Sequence, residues 1–387
     1  MPTVNVNIQP AIINWALSQT SEDKLGTKLM ENIRHWLDGT KSPTFNQIED
    51  FSKKSHIPLG YFFLQTPPVE QIELLEYRTL DSIKLANPSR NLIDIIHEME
   101  AIQDWMIDYR KEMNYNMCLV VNSLEGNDDI MAIADEIRKD MELDIEWYQE
   151  CSSSSEAFNK VRALLEECGV IVMMSGIVGK NTHRALDINE FRAFAMVNKW
   201  APLIFINGAD SRGGRLFSLF HEAVHIWLGE NDLYNDTRYS TEQVKPLEVV
   251  CNEVAGELLV PRKVFLECWK KDTNDDIYGK IKELAKYFCC SESVIARRAL
   301  DNQKIDKKTY NQVVSDAIQA YIESKQEKDT GGDYYRTARS KLDGVFVRAL
   351  CESVNSGRTS YTEAYRLTNT TSKTFPEVAS GLVGVLW

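Results

Sequence analysis

The sequence predicts an α+β protein whose mixed core lies between a small all-α N-terminal unit and a helical C-terminal region. The first part of the chain has helical periodicity and no strand pattern, the middle part alternates apolar strand-like runs with helical segments, and the last part is polar and helical. These changes in pattern predict four units. They cover residues 1–68, 69–115, 116–300 and 301–387.

The N-terminal unit is predicted to contain three short helices, separated by turn-forming residues such as Gly39 and Pro43. The helices are expected at residues 12–17, 25–37 and 45–52. Pro67-Pro68 ends the unit, and a long amphipathic connecting helix is expected at about 91–111.

The middle of the chain carries the signals for strands. Apolar runs predict strands at Cys118–Val121 and Val170–Met174, and helices are expected at about 127–140 and 155–168. A further strand at Ile204–Asn207 precedes an apolar run that reads as a helix and ends at Leu228. If this strand is an edge, it could pair with an extended substrate backbone.

That apolar helix carries the sequence His221-Glu222-Ala223-Val224-His225, an HExxH pattern. Residues four apart lie on the same helix face, so the two imidazoles can bind one metal ion with Glu222 beside them. The string His97-Glu98-Met99-Glu100-Ala101 begins in the same way but lacks the second histidine, and it is most simply a solvated helix face. The apolar flanks distinguish the HExxH pattern from such a chance string.

A catalytic zinc needs a third protein ligand, and the next helix offers carboxylates for it. This helix is predicted between Pro246 and Pro261, because proline starts and stops helices. Glu248 and Asn252 share one face, so Glu248 could bind the metal while Asn252 holds a ligand in position. Three other residues of the helix compete for the role of third ligand. They are Glu253, which points elsewhere, Glu257, which lies on nearly the same face as Glu248, and Cys251, whose apolar spacing favours a buried thiol.

With a Zn²⁺ ion in place, the pattern indicates hydrolysis. The metal lowers the pKa of a bound water and polarises a carbonyl, and Glu222 accepts the proton of the water. An oxyanion also needs a hydrogen-bond donor, and the sequence leaves that choice open. The candidates are Tyr234, Tyr239 and His183.

Composition limits the other functions. The formal net charge of −13 argues against a surface that binds nucleic acid throughout, while the first 68 residues are neutral, with six acidic and six basic side chains. The sequence predicts neither a membrane span nor a signal peptide. Eight cysteines without paired spacing indicate reduced thiols, so we expect a cytoplasmic protein, and a homodimer is compatible with the sequence.

Four blocks around the HExxH helix resemble the ImmA/IrrE family of zinc metallopeptidases. They are Phe191–Ala195, Pro202–Asn207, Arg215–His225 and Glu248–Pro261. The resemblance implies a zincin-like, gluzincin-type core in which Glu248 is the third ligand and Asn252 orients a ligand histidine. It also implies an endopeptidase that cleaves a protein regulator, a helix-turn-helix repressor or antitoxin, to control transcription in a prophage or a similar element.

The N-terminal unit resembles the helix-turn-helix domain of the phage-repressor type (XRE, Cro/C1), in a degenerate form. The resemblance rests on Trp36–Pro43 and on Ile57–Leu64. It implies Lys28, Arg34 and Lys41 as the DNA contacts. Because residues 1–68 have no net charge, the unit could instead be a packing or protein-interaction module that does not bind DNA. The alternative to a peptidase is therefore a DNA-binding regulator or a toxin–antitoxin component that uses the peptidase fold as a scaffold.

The C-terminal region is predicted to begin with a charged hinge at Glu323–Thr330 and to continue as helices. The helices are expected at 342–354, 362–367 and 372–378. The last two have a faint second helix-turn-helix pattern, but their spacing is loose.

Overall fold

A computed structural model of the chain describes residues 4–20, 22–70, 74, 88–234, 246–271, 276–326 and 333–384. Tyr239 and the second half of the predicted hinge, residues 327–330, lie outside these residues. The fold is α+β, as predicted, with helices around one four-stranded sheet. Two compact units are present, Met1–Glu76 with Ser82–Ile96, and Tyr77–Asp81 with His97–Trp387. Among the described residues, no helix is long and apolar enough to span a membrane.

Up to Phe63, the described residues of the first unit form four short α-helices and a 3₁₀ helix. They are α1 (Pro10–Ser18), α2 (Glu22–Leu25), α3 (Thr27–Leu37), α4 (Phe45–Ser55) and the 3₁₀ helix Leu59–Phe63. Thr44 begins α4 with a capping box, in which Thr44 and Gln47 exchange side-chain-to-backbone hydrogen bonds. The apolar faces of these helices form a core around Ile33, Phe51 and Phe62, which are fully buried.

Gly26 alone separates α2 from α3, and its φ of 77° is one that glycine adopts readily. A helix-turn-helix motif joins its two helices by a turn of about three to four residues. In the described residues α2 is a single turn of helix, and the connection between α2 and α3 is one residue long instead of three to four. Lys28, Arg34 and Lys41 are all exposed, and DNA contact by them stays a prediction.

The sheet of the second unit has the strand order β1-β3-β2-β4. The strands are β1 (Ile171–Ser175), β2 (Ala193–Met196), β3 (Leu203–Asn207) and β4 (Asp232–Tyr234). Strand β3 runs parallel to β1 and antiparallel to β2, and β2 also pairs with β4 in antiparallel fashion. Since β3 has a partner on each side, the prediction that Ile204–Asn207 offers an edge to a substrate was wrong. The outer strands are β1 and β4.

The predicted strand at Cys118–Val121 is also absent, because these residues form turns. The segment wraps around the end of a helix, where its backbone donors have other partners. The backbone N–H groups of Asn122 and Leu124 donate to the last carbonyls of the HExxH helix, those of Ile226 and Trp227, at 3.1 and 3.0 Å. The apolar residues Val120 and Val121 are buried, which explains the strand-like pattern.

Helices cover the sheet and extend beyond it. In chain order they are α5 (Arg90–Glu112), α6 (Ile130–Asp140), α7 (Ser154–Glu167), α8 (Arg212–Leu228), α9 (Pro246–Leu259), α10 (Arg262–Lys271), α11 (Ile277–Tyr287), α12 (Glu292–Asp301), α13 (Lys307–Gln326), α14 (Tyr334–Lys341), α15 (Gly344–Asn355), α16 (Tyr361–Leu367) and α17 (Phe375–Val383). A 3₁₀ helix at Trp147–Glu150 lies between α6 and α7. Because α13 continues to Gln326, the start of the predicted hinge at Glu323 is helical.

Candidate metal site

Helix α8 carries the HExxH residues and is buried along nearly its whole length. Ser211 begins the helix, with its hydroxyl accepting a hydrogen bond from the N–H of Gly214 at 3.0 Å. Gly229 ends it with φ 81°, and a Cβ atom there would lie 2.0 Å from Oδ1 of Asn122. A Cβ atom on Gly213 would lie 2.7 Å from the backbone nitrogen of Ser291. The helix is therefore fixed at both ends by close backbone contacts.

Helix α9 brings Glu248 to the two histidines of α8. The Nε2 atoms of His221 and His225 lie 3.2 Å apart. Oε2 of Glu248 is 3.3 Å from Nε2 of His221, and its Oε1 is 3.5 Å from Nε2 of His225. Both histidines are fully buried, and among the described residues these three are the group whose ligand atoms converge closely enough to hold one metal ion.

The spacing of these atoms fits a bound zinc ion. Ligands about 2.0–2.1 Å from a tetrahedral zinc stand about 3.3 Å apart, which matches the three separations between the His221, His225 and Glu248 atoms. Two imidazole nitrogens and one carboxylate are also a donor set that zinc hydrolases use, with the fourth position left for water. The residues present therefore fit the metal that the sequence predicts.

The other carboxylates near Glu248 have different surroundings. Glu253 is exposed. Glu257 is buried and forms an ion pair of 2.7 Å with Arg298, and its carboxylate also accepts the backbone N–H of Arg262 at 3.1 Å. Glu257 thus connects α9 to the first residue of α10 and to α12, and it is not a member of the converging group.

We expect Glu257→Ala to lower the free energy of unfolding by about 3–5 kcal/mol, because it leaves the largely buried guanidinium of Arg298 without its carboxylate. Chemical denaturation measures this change. The matched control is Glu253→Ala on the same helix, which should stay within about 0.5 kcal/mol of the parent protein. Equal stability of the two variants would contradict a structural role for Glu257.

Glu222 and Asn252 accompany the three converging residues. Glu222 follows His221 directly and is fully buried. Asn252 lies one turn after Glu248, and its Oδ1 is buried with no hydrogen bond to any described residue. The structure thus places Asn252 on the expected face, while its role in orienting a histidine stays a prediction.

The structure describes two of the three candidate oxyanion donors, His183 and the backbone of Tyr234. His183 is exposed on the loop between β1 and β2, where its backbone N–H donates to Oδ1 of Asn181 at 3.0 Å. The backbone of Tyr234 pairs with Ala193 at the end of β4. Tyr239 lies outside the described residues. A role for any of the three as the oxyanion donor stays a prediction.

Sequence reasoning missed the ion pair that supports the start of α8. Asp210 is buried beside the first turn, where its carboxylate accepts the backbone N–H of Ser211 at 2.6 Å and binds Arg192 at 2.7 Å. A carboxylate at this end of a helix is stabilised by the helix dipole. The pair Asp210-Ser211 before an apolar run is a readable helix start, but nothing local in the sequence points to Arg192.

Two histidines and one glutamate on successive helices are a group of the kind that holds zinc in hydrolases. Two parts of the chain match the models of known families. Residues 166–300 match the peptidase M78 family, described as an IrrE N-terminal-like domain. Residues 342–381 match a domain of unknown function, DUF8813. No curated protein and no solved structure shows a significant match to the chain.

The family match supports a metallopeptidase-type fold of the ImmA/IrrE family for residues 166–300. These boundaries include β1, α8 and α9, so the whole converging group lies inside the matched region.

Proposed function

We propose that this protein is a zinc-dependent endopeptidase that cleaves a protein regulator. The observation that carries the proposal is the convergence of His221, His225 and Glu248 next to the buried Glu222. A structural metal site has four protein ligands, whereas a set of three leaves a position for water. The match to a peptidase family supports the same reaction class.

In this mechanism His221, His225 and Glu248 hold Zn²⁺, which when bound lowers the pKa of a water molecule and polarises the scissile carbonyl. A carboxylate oxygen of Glu222 takes the proton of that water and passes it to the leaving amine. Glu222 is fully buried, so this proton transfer would take place away from bulk water. Asn252 is proposed to hold a ligand in position from the neighbouring turn of α9.

We further propose that the substrate is a helix-turn-helix repressor or an antitoxin and that the reaction occurs in the cytoplasm. The N-terminal resemblance to phage-type repressors supports a transcriptional context. Eight cysteines without the spacing of a disulfide framework support a reducing compartment. The first unit, with its neutral charge, is proposed to recruit the protein partner, and DNA binding by residues 1–68 remains part of the alternative function.

A substrate trap tests this proposal. The variant Glu222→Gln is purified from the native host under conditions that retain weak complexes, and the associated proteins are identified by mass spectrometry. We expect a transcriptional regulator that the parent protein then cleaves at one site in vitro. If the captured proteins stay intact with the zinc-loaded parent protein, the scaffold function is favoured over the endopeptidase.

DNA binding is tested separately by a gel-shift assay with DNA from the region upstream of the gene that encodes this protein. Retardation that depends on Lys28 and Arg34 would support a DNA-binding regulator. The matched control is Lys53→Ala, a lysine of the same unit that forms an ion pair with Glu49 at 2.7 Å.

A further inference from the structure

The C-terminal segment, residues 333–384, closes one edge of the sheet without adding a strand. Strand β1 is an outer strand, so Val172 directs its backbone groups away from the sheet. The N–H of Val172 donates to Oδ2 of Asp343 at 2.9 Å. Its carbonyl accepts from the guanidinium of Arg162 at 2.6 Å, and the same guanidinium nitrogen donates to the carbonyl of Leu342 at 2.5 Å. The side chains of Asp343 and Arg162 thus supply the hydrogen bonds that a neighbouring strand would otherwise give to the backbone of Val172.

Two carboxyl groups meet at this junction. Asp343 is fully buried and begins helix α15, where its Oδ1 accepts the N–H of Phe346 at 2.7 Å. Glu166, at the end of α7, lies beside the start of the same helix, because its Oε2 is 3.4 Å from the position that a Cβ atom on Gly344 would take. The Glu166 and Asp343 carboxyl groups are close enough to interact. Two carboxyl groups this close can bond to each other only when one of them carries a proton, because two carboxylates are both acceptors.

The positive charges around the two carboxyl groups are too few to neutralise both as carboxylates. Arg162 donates to Oε1 of Glu166 at 3.0 Å and is the one cation in direct contact with the pair among the described residues. Arg110 of α5 acts on Asp343 from farther away, and Lys341 of α14 interacts with Glu98. Strand β1 contributes no titratable side chain. One cation therefore faces two carboxyl groups.

The pKa of Glu166 is consistent with one cation facing two carboxyl groups. Burial, together with the neighbouring charge of Asp343, raises the pKa of Glu166 to about 7. The Arg162 guanidinium opposes this shift but does not cancel it. Glu166 is therefore the member of the pair that holds the proton at slightly acidic pH.

We propose that Glu166 and Asp343 form a proton-dependent latch that attaches the C-terminal segment to strand β1 and weakens as the pH rises. With one shared proton, Glu166 donates to Asp343 and both groups keep their other partners. Without it, the buried carboxylate of Asp343 and the half-buried carboxylate of Glu166 repel each other at the start of α15. The latch does not depend on the peptidase activity, since none of its residues belongs to the metal site.

The direction of the pH effect follows from the shift. Glu166 binds its proton more tightly in the closed state than when the segment is released, so attachment is strongest at low pH. It weakens as the pH rises from the ordinary range of a glutamate, about 4.5, to about 7. Above that range the closed state also loses the proton, and the weakening levels off.

Hydrogen–deuterium exchange at pH 6 and pH 8 tests the latch in the full-length protein. After correction for intrinsic exchange rates, we expect the protection of Val172 and of residues 340–347 to be about tenfold lower at pH 8. Glu166→Gln should remove this pH dependence, because its amide donates to Asp343 at both pH values. Glu167→Gln, which changes the exposed neighbour on the same helix, should keep the pH dependence of the parent protein.

Equal protection at the two pH values in the parent protein would overturn the proposal, whatever the variants do. It would also be overturned if Glu166→Gln, folded by circular dichroism, kept the full tenfold change. A smaller pH dependence in Glu166→Gln together with an unchanged one in Glu167→Gln would support the latch.

Discussion

Replacing Glu222 with glutamine is expected to abolish cleavage while the metal and the fold remain. An amide has nearly the shape of a carboxylate but cannot accept the proton of the attacking water. General-base catalysis contributes about 10²–10⁴-fold to a rate, so the turnover of the captured regulator should fall by at least about 10²-fold. The new termini of the cleaved protein, counted by mass spectrometry over time, give the rate.

Two controls give this result its meaning. Zinc content, measured by inductively coupled plasma mass spectrometry, should be the same in Glu222→Gln and in the parent protein. The variant Glu253→Gln changes an exposed carboxylate near the site and should cleave at the parent rate. An unchanged pattern and rate of cleavage in Glu222→Gln would rule out this residue as the general base.

Glu248→Gln is expected to lose the metal. This change removes the negatively charged ligand that lies 3.3 Å and 3.5 Å from the two histidine nitrogens. Removing a group that only supports a ligand already weakens metal binding by about 10–100-fold. Loss of the ligand itself should therefore raise the zinc dissociation constant by more than about 100-fold, as measured by competition with a chromophoric chelator.

The variant Glu257→Ala is the natural comparison for this experiment. Glu257 lies on the same helix as Glu248 but forms an ion pair with Arg298. The Glu257→Ala protein should therefore keep its zinc while losing stability. Loss of zinc in Glu248→Gln and retention of zinc in Glu257→Ala would show that Glu248 binds the metal and that Glu257 has a structural role. Retention of zinc in Glu248→Gln, with loss in Glu257→Ala, would reverse the assignment.

The parts of the fold that could be predicted depend on neighbours in sequence. Helix α9 was expected between two prolines and is observed at Pro246–Leu259. The convergence of His221, His225 and Glu248 was also predictable, because two of the three lie one turn apart and the third opens the next helix. The resemblance to a family was needed to prefer Glu248 over Glu257, since both lie on similar faces of α9.

The parts that could not be predicted depend on contacts between distant segments. Val120 and Val121 are buried like strand residues, yet their segment caps the end of α8 instead of joining the sheet. The position of β3 inside the sheet follows from its pairing with β1 and β2, which no local pattern reveals. The burial of Glu257 against Arg298 likewise joins residues of different helices.

The sealing of β1 by Asp343 has a consequence for biosynthesis. About 170 residues separate Val172 from Asp343, so at about 5–20 residues per second the ribosome needs about 9–34 seconds to make them. During this time the sheet can form while its outer strand still lacks a cover, and an uncovered edge pairs readily with other chains. Chains that stall before the final helices should therefore aggregate, and chaperone demand should peak late in translation.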